Sequence, residues 1–286
     1  MQFPISTIEV SNNIRIHAIS TGSDSVKNAF RTRKGKGFIS KLYIGLDNTF
    51  TEYMPIWVWV IEHPEGIFVI DTGENSRVND AGYYRCAGRF IEWVSRTNFK
   101  FKVAPEEEIG PQLLQIGIKP EDVKKIILTH LHQDHTDGLS YFPNTEIIIN
   151  RPEFEKPEND IPCLYPKWFT PTTFDYIKDD SNIFGAYYPV TQAEDLLVVP
   201  TPGHTRGHSS IILKTETAHY FFAGDTSISQ AQMLKRESEG ANSSLKQTLA
   251  TYDKILEYAR LQPTIYLPSH DADVPRRLEK SEILNS

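Results

Sequence analysis

The chain has only two cysteines in 286 residues, and neither belongs to a C-x-x-C pair. A thiolate metal cluster is thereby excluded, and Cys86 and Cys163 are expected as isolated, reduced structural thiols. No run of 18 apolar residues occurs, so no membrane-spanning helix is expected. The stretch from Met1 to Val10 has neither a basic start nor an apolar run of signal-peptide length, which makes a cytoplasmic protein the expectation. An extended basic stripe is missing too, and the formal net charge is −7, a balance that argues against nucleic acid or another polyanion as partner. Arg31, Arg33, Lys34, Lys36 and Lys41 do gather among glycines, and a solvated loop accounts for them. Internal repeats, low-complexity tracts and long Pro, Gly or Ser linkers are also absent. The expectation is one domain over residues 1–286, long enough to bury a large core.

Metal-ligand chemistry, by contrast, is concentrated. The run His130-Leu131-His132-Gln133-Asp134-His135 puts three imidazoles and one carboxylate in six residues. A solitary histidine is usually a packed or partly exposed ring, but packing does not account for this density. Before it lies Lys125-Ile126-Ile127-Leu128-Thr129, a β-branched, apolar run that reads as a buried strand. The ligand types therefore sit where the chain leaves a sheet. There, residues i and i+2 can turn to one ion while i+4 and i+5 reach a second.

The same placement recurs three times. His204 in Pro202-Gly203-His204 lies beyond the apolar run Leu196 to Val199, Asp225 directly follows Tyr220 to Gly224, and His270 follows Ile265 to Ser269. His208 lies four residues after His204, but Ser209 to Ile212 reads as strand, so a supporting role is expected for it. His17, His63 and His219 lie far from these clusters in sequence and receive no function.

In order and type, the H-x-H-x-D-H run with a later His, Asp and final His resembles the metallo-β-lactamase superfamily, and the likeness covers most of the chain. It implies an αββα sandwich, two mixed sheets with helices on the outer faces. Helical patterns at Pro105 to Ile116 and Leu245 to Arg260, ahead of strand patterns, and a hairpin pattern through Ile56 to Ile61 and Ile67 to Ile70 agree with such layering. Residue by residue, the resemblance implies that His130, His132 and His204 hold one ion, that Asp134, His135 and His270 hold the other, and that Asp225 bridges both. Asp71 would support the site without binding an ion. Two divalent cations are implied, zinc first because imidazole and carboxylate suit it, with manganese, iron and cobalt left open. The implied chemistry is hydrolysis by a bridging hydroxide, available because a metal lowers the pKa of its water toward roughly 7. Asp134 is the expected proton relay.

Within the superfamily, residues 54–66 and 127–135 look most like the N-acyl homoserine lactonase branch. The implied activity is opening of the lactone ring of N-acyl homoserine lactones. Hydrolysis of another lactone, an aryl ester or organophosphate, or a glyoxalase II-like thioester is the alternative. True β-lactamases of the superfamily generally lack a carboxylate at the position of Asp225, and only 16 residues follow His270, with no recognisable glutathione-binding extension. A redox or sensor protein of this fold would usually carry Glu at the position of His132 and an appended flavodoxin domain. One departure concerns the tyrosine that such lactonases often carry three residues after the bridging aspartate. Here Ile228 stands there. Residues 154–188 hold nine aromatics and four prolines, which suggests an aromatic, proline-rich cap or loop insertion at about 151–190. Trp168 and Ile228 are the candidate substrate contacts, Trp168 for an acyl chain. The expected partner is a small lactone or ester, and the cap aromatics leave a homodimer contact open.

Overall fold

The computed structural model describes residues 4–285 apart from positions 12 and 36, so Lys36 and Met1 to Phe3 lie outside the described residues. Near-continuously buried strands, with successive side chains packing on opposite faces, build two sheets. The first runs in the order β1 (Ser6–Ser11), β2 (Ile14–Val26), β3 (Met54–His63), β4 (Gly66–Ile70), β6 (Val123–Ile127), β7 (Glu146–Asn150) and β8 (Thr172–Phe174), while β5 (Phe99–Lys102) pairs with β2. Its β1-to-β4 half is antiparallel and its β4-to-β8 half parallel, so the sheet is mixed. The second sheet orders β9 (Ile177–Lys178), β10 (Ala186–Pro189), β11 (Leu196–Pro200), β12 (Ser209–Lys214), β13 (His219–Gly224) and β14 (Thr264–Pro268), antiparallel except for the final parallel pair.

Alternate residues explain the layering. Ile16, Trp57, Trp59, Ile61, Phe68 and Ile70 from the first sheet meet Val198, Ile211, Phe222 and Leu267 from the second in one buried core. Trp59 packs on Phe222 with ring centroids 5.0 Å apart. The residues in between, Val58, Val60, Val69 and Ile126, point the other way and are covered by Ile109, Leu113 and Leu139. On the far side, Ile212, Phe221 and Tyr266 pack against Tyr252 and Ile255 of the helix Leu245–Leu261. Helices thus cover both outer faces, the expected α/β, αββα arrangement of two mixed sheets.

Local sequence sets the element ends. The helix Leu245–Leu261 starts where the Ser244 hydroxyl accepts the Gln247 N–H at 3.3 Å. The pattern over Pro105 to Ile116 breaks into a 3₁₀ turn, Pro105–Glu107, and a helix, Ile109–Gln115. Pro111 has no N–H to donate and is tolerated only in a first turn, so the helix begins just ahead of it.

Two expectations are corrected. Cys86 and Cys163 are not reduced thiols: they form a disulfide, because the fold brings Cα atoms 77 residues apart in sequence to within 6.0 Å. Nor is the whole basic cluster a solvated loop. Lys34 and Lys41 are exposed, but Arg33 is half-buried and its guanidinium donates to Asn242 Oδ1 at 2.7 Å.

The aromatics of residues 154–188 spread over several layers. Phe174 and Tyr176 join the core between the sheets, Tyr165 and Phe169 pack on the outer face of the first sheet, and Phe184 packs under the helix Leu245–Leu261. Trp168 stays 39% exposed.

Candidate metal centre

The parallel neighbours β4 and β6, and likewise β13 and β14, end at one edge, where their carboxyl-terminal loops meet. His130, His132, His204 and Asp225 form one group of facing donor atoms there, and Asp134, His135, Asp225 and His270 a second, with the donors of each group within 4.8 Å of one another. All seven residues singled out in the sequence as metal ligands are thus brought together. Asp225 lies between the groups, and its two oxygens divide the work. Oδ2 is 3.5 Å from His204 Nε2 and 4.0 Å from His130 Nε2, while Oδ1 is 3.3 Å from His135 Nε2 and 3.4 Å from His270 Nε2.

Backbone geometry sets this position. Gly224 has φ +54°, and a Cβ there would sit 2.7 Å from His208 Nε2. The turn instead lets Asp225 N–H donate to His208 Nε2 at 3.0 Å, while His208 Nδ1 meets the Thr201 hydroxyl at 3.0 Å. His208 therefore supports Asp225 through the latter's backbone N–H. Glu153, 1% exposed, ties the two histidine loops together by accepting Leu131 N–H at 3.2 Å, the Thr205 hydroxyl at 2.8 Å and Gly207 N–H at 3.2 Å.

Each histidine ring is oriented from behind. His135 Nδ1 faces Asp71 Oδ2 at 2.7 Å, His270 Nδ1 faces the Pro55 carbonyl at 3.0 Å, and His132 Nε2 faces the Glu158 carbonyl at 3.0 Å. His130 Nδ1 lies 3.0 Å from the Thr129 hydroxyl, which itself donates to Asp71 Oδ2. A ring that donates from one nitrogen presents the lone pair of the other, so these partners fix the nitrogens that face the cluster as the acceptors a cation needs.

The donor set fits divalent cations on two further grounds. His130 Nε2, His135 Nε2 and Asp225 Oδ1 are buried without a hydrogen-bond partner among the described residues, an arrangement that costs free energy unless an ion satisfies them. Charge tells the same story. Burial and the neighbouring imidazoles push His130 and His132 below the ordinary histidine range, His132 to about 3, which leaves both neutral. Burial, the largest single influence, would lower His135 and His270 as well, yet the surrounding carboxylates together outweigh it, Asp225, Asp71 and Asp134 for His135 and Asp225, Asp134 and Asp24 for His270, and draw both well above that range. The buried carboxylates thus attract positive charge into this pocket.

The Ile228 side chain, 6% exposed, packs with Val26 and Met54. Of the hydroxyls beside Asp225, Thr226 donates to the Ala223 carbonyl, and Ser227 donates to the Ser229 carbonyl and meets the Tyr266 hydroxyl. A cavity of about 530 Å³ opens nearby, lined by Tyr83, Glu108 and Asp137 and by the Cys86–Cys163 bridge. Trp168 is not among its walls.

Two residues around the site escaped sequence reasoning. Glu239, 4% exposed, brings Oε2 within 3.0 Å of His204 Nδ1, and Asp24 Oδ1 lies 3.6 Å from His270 Nδ1, burial pushing its carboxyl up to about 7. Neither stands in a motif, and no local signal marks them.

The fold thus carries, at its strand ends, a two-group cluster of His and Asp side chains that could hold metal ions. Residues 52–270 match the family described as the Metallo-beta-lactamase superfamily, and the chain belongs to it. An N-acyl homoserine lactonase from a Bacillus species is 34% identical over 164 residues, 57% of this chain and 60% of that protein. The match to that relative therefore leaves about two fifths of its length unaligned. The N-acyl homoserine lactonase AttM of Agrobacterium fabrum is 26% identical over 243 residues, 80% of this chain and 86% of that one. A solved N-acyl homoserine lactone hydrolase, with the product N-hexanoyl-L-homoserine at its catalytic metal center, superimposes with a TM-score of 0.72. It is 22% identical and covers 93% of this chain and 95% of that one, a likeness that establishes the fold.

Proposed function

We propose that this protein hydrolyses the lactone ring of N-acyl homoserine lactones at a two-cation centre. The observation that carries the reading is Asp225, one carboxylate oxygen turned to each histidine group. His130, His132 and His204 would hold one cation and Asp134, His135 and His270 the other, with Asp225 shared. The donor set suits zinc, and elemental analysis of the purified protein is the test of that identity. Bound there, a pair of divalent cations supplies Lewis acidity and a water deprotonated near neutral pH.

The chain's own residues do the rest. Asp225, buried, holds the two groups in register. The Asp134 side chain is 20% exposed, with Oδ2 3.4 Å from His270 Nε2, so it reaches both the cluster and the solvent side. Burial works against its charge, but His135 and His270 outweigh that and hold its carboxyl at about 2. Asp134 Oδ2 is therefore a carboxylate acceptor at neutral pH, ready to take a proton and pass it to the leaving alkoxide. With Ile228 three residues after Asp225, no tyrosine hydroxyl can donate to the lactone carbonyl from that position, and another hydroxyl or the cations, when bound, would have to supply that polarisation.

The deciding experiment is a pH-stat panel on metal-replete protein: N-acyl homoserine lactones, simple γ-lactones, a thioester, a β-lactam and an aryl phosphotriester. Acyl homoserine lactones should turn over with the highest kcat/KM, with a rate that rises with pH to a plateau and no covalent acyl-enzyme on quenching. Faster turnover of the thioester or phosphotriester would transfer the assignment to that substrate. A cytoplasmic site of action would leave Cys86 and Cys163 reduced, so thiol trapping in intact cells tests the location. A homodimer is tested by sedimentation.

A further inference from the structure

We propose that Glu239, held in place by Arg33, is the positioning carboxylate of the His204 half of the centre. The inference rests on the reading that His130, His132, His204 and Asp225 hold one of two cations. Carboxylates stand behind histidines of both ligand groups: Asp71 behind His135, with Asp24 3.6 Å from His270 Nδ1, and Glu239 behind His204. The Asp71 and Glu239 contacts differ in kind. His135 Nδ1 donates to Asp71 in a 2.7 Å hydrogen bond, whereas Glu239 Oε2 lies 3.0 Å from His204 Nδ1 but off the line of its N–H, a close contact of charge. A carboxylate behind an imidazole raises its basicity and fixes which nitrogen faces the ion.

Glu239 comes from an irregular loop between the helices Gln230–Leu234 and Leu245–Leu261, and that loop is pinned by residues some 200 positions earlier in the chain. Arg33 N–H donates to the Ser238 carbonyl at 2.7 Å, its Nε–H to the Glu239 carbonyl at 3.3 Å, and its guanidinium to Asn242 Oδ1 at 2.7 Å. Gly240 N–H donates to the Phe30 carbonyl, and the Ser40 hydroxyl to the Gly240 carbonyl, both at 2.7 Å. On its far side the loop meets the ligand itself, since Ser243 N–H donates to the His204 carbonyl at 3.0 Å. Arg33 therefore fixes where the Glu239 carboxylate stands.

The test uses full-length protein and cobalt(II), whose spectrum distinguishes a three-histidine set from a two-histidine set with two carboxylates. Competition with a chelator yields two dissociation constants. Glu239→Ala should weaken one of them ~10–100-fold, the scale for losing a group behind a ligand, and leave the other unchanged. Glu239→Gln, which keeps an acceptor, should recover part of the loss and shift the absorption of that one site at saturating cobalt. Arg33→Ala should weaken the same ion by less, and it carries the test should Glu239→Ala fail to fold. Unchanged constants in all three variants would overturn the proposal, as would equal weakening of both ions with a lowered Tm of the metal-free protein. Fewer than two cobalt ions on the wild type would instead count against the two-cation reading.

Discussion

Asp71→Asn tests what a single carboxylate contributes behind His135, with a second, indirect effect on His130 through the Thr129 hydroxyl. Asp71 is 1% exposed and sits at φ +59°, a conformation asparagine also adopts, so the backbone need not move. Its Oδ1 accepts Thr129 N–H at 2.8 Å, and its Oδ2 accepts both the Thr129 hydroxyl at 2.8 Å and His135 Nδ1–H at 2.7 Å. An amide offers one acceptor oxygen where the carboxylate offers two. With that oxygen at the Oδ2 position, the NH2 confronts Thr129 N–H and a buried donor is stranded. In the flipped orientation the NH2 faces His135 Nδ1, which must give up its proton to Nε2. That is the nitrogen 3.3 Å from Asp225 Oδ1, and once protonated it is lost as a ligand. In the first orientation the apo-protein loses about 1–3 kcal/mol for an unsatisfied buried group. In the second, an ion at the His135 group weakens ~10–100-fold, equivalent to about 1.4–2.7 kcal/mol. Urea unfolding of the metal-free protein and chelator competition on the loaded protein measure the two effects separately. An unchanged unfolding midpoint together with two unchanged dissociation constants would refute the argument.

Asp225→Asn should weaken both ions, since each of its oxygens faces one group, and should lower lactone kcat/KM by more than the ~100-fold typical of a residue behind a ligand; two tightly held ions with near-normal turnover would remove it from the bridging position. Reducing the Cys86–Cys163 bond, which spans 77 residues, should cost about 4.5 kcal/mol by the chain-entropy relation, read as a shift in denaturation midpoint with and without reductant. Trp168→Ala should penalise long-chain lactones and spare short ones: four methylenes held against the ring are worth roughly 3 kcal/mol, on the order of 100-fold in kcat/KM. An equal loss across chain lengths would assign Trp168 a structural role.

Much of the centre was legible because its information is local. His130, His132, Asp134 and His135 share one turn after β6, and the apolar runs ahead of His204, Asp225 and His270 have the strand periodicity that delivers side chains to a sheet edge. The layered fold was legible in helical patterns alternating with strand patterns, and the structure adds which way each strand residue points, Trp57 and Trp59 to one side and Val58 and Val60 to the other. What surrounds the ligands was not legible. Glu239 meets His204 across 35 residues, and Arg33 meets Asn242 across 209. No periodicity encodes a contact between irregular loops. The aromatics after Phe154 read as one cap by composition, yet the chain threads them through both sheets, and composition carries no topology.

Sequence alone marked seven side chains of metal-ligand type and their place after apolar runs, because residue type and hydrophobic runs are properties of short segments, while the two-sheet sandwich was implied by the family resemblance. Tertiary structure alone decided which nitrogen of each histidine faces the cluster, that Asp225 turns one oxygen to each group, and that Cys86 and Cys163 lie close enough to bond. Those depend on distances between segments far apart in the chain, which are set only when the two sheets close on their common core.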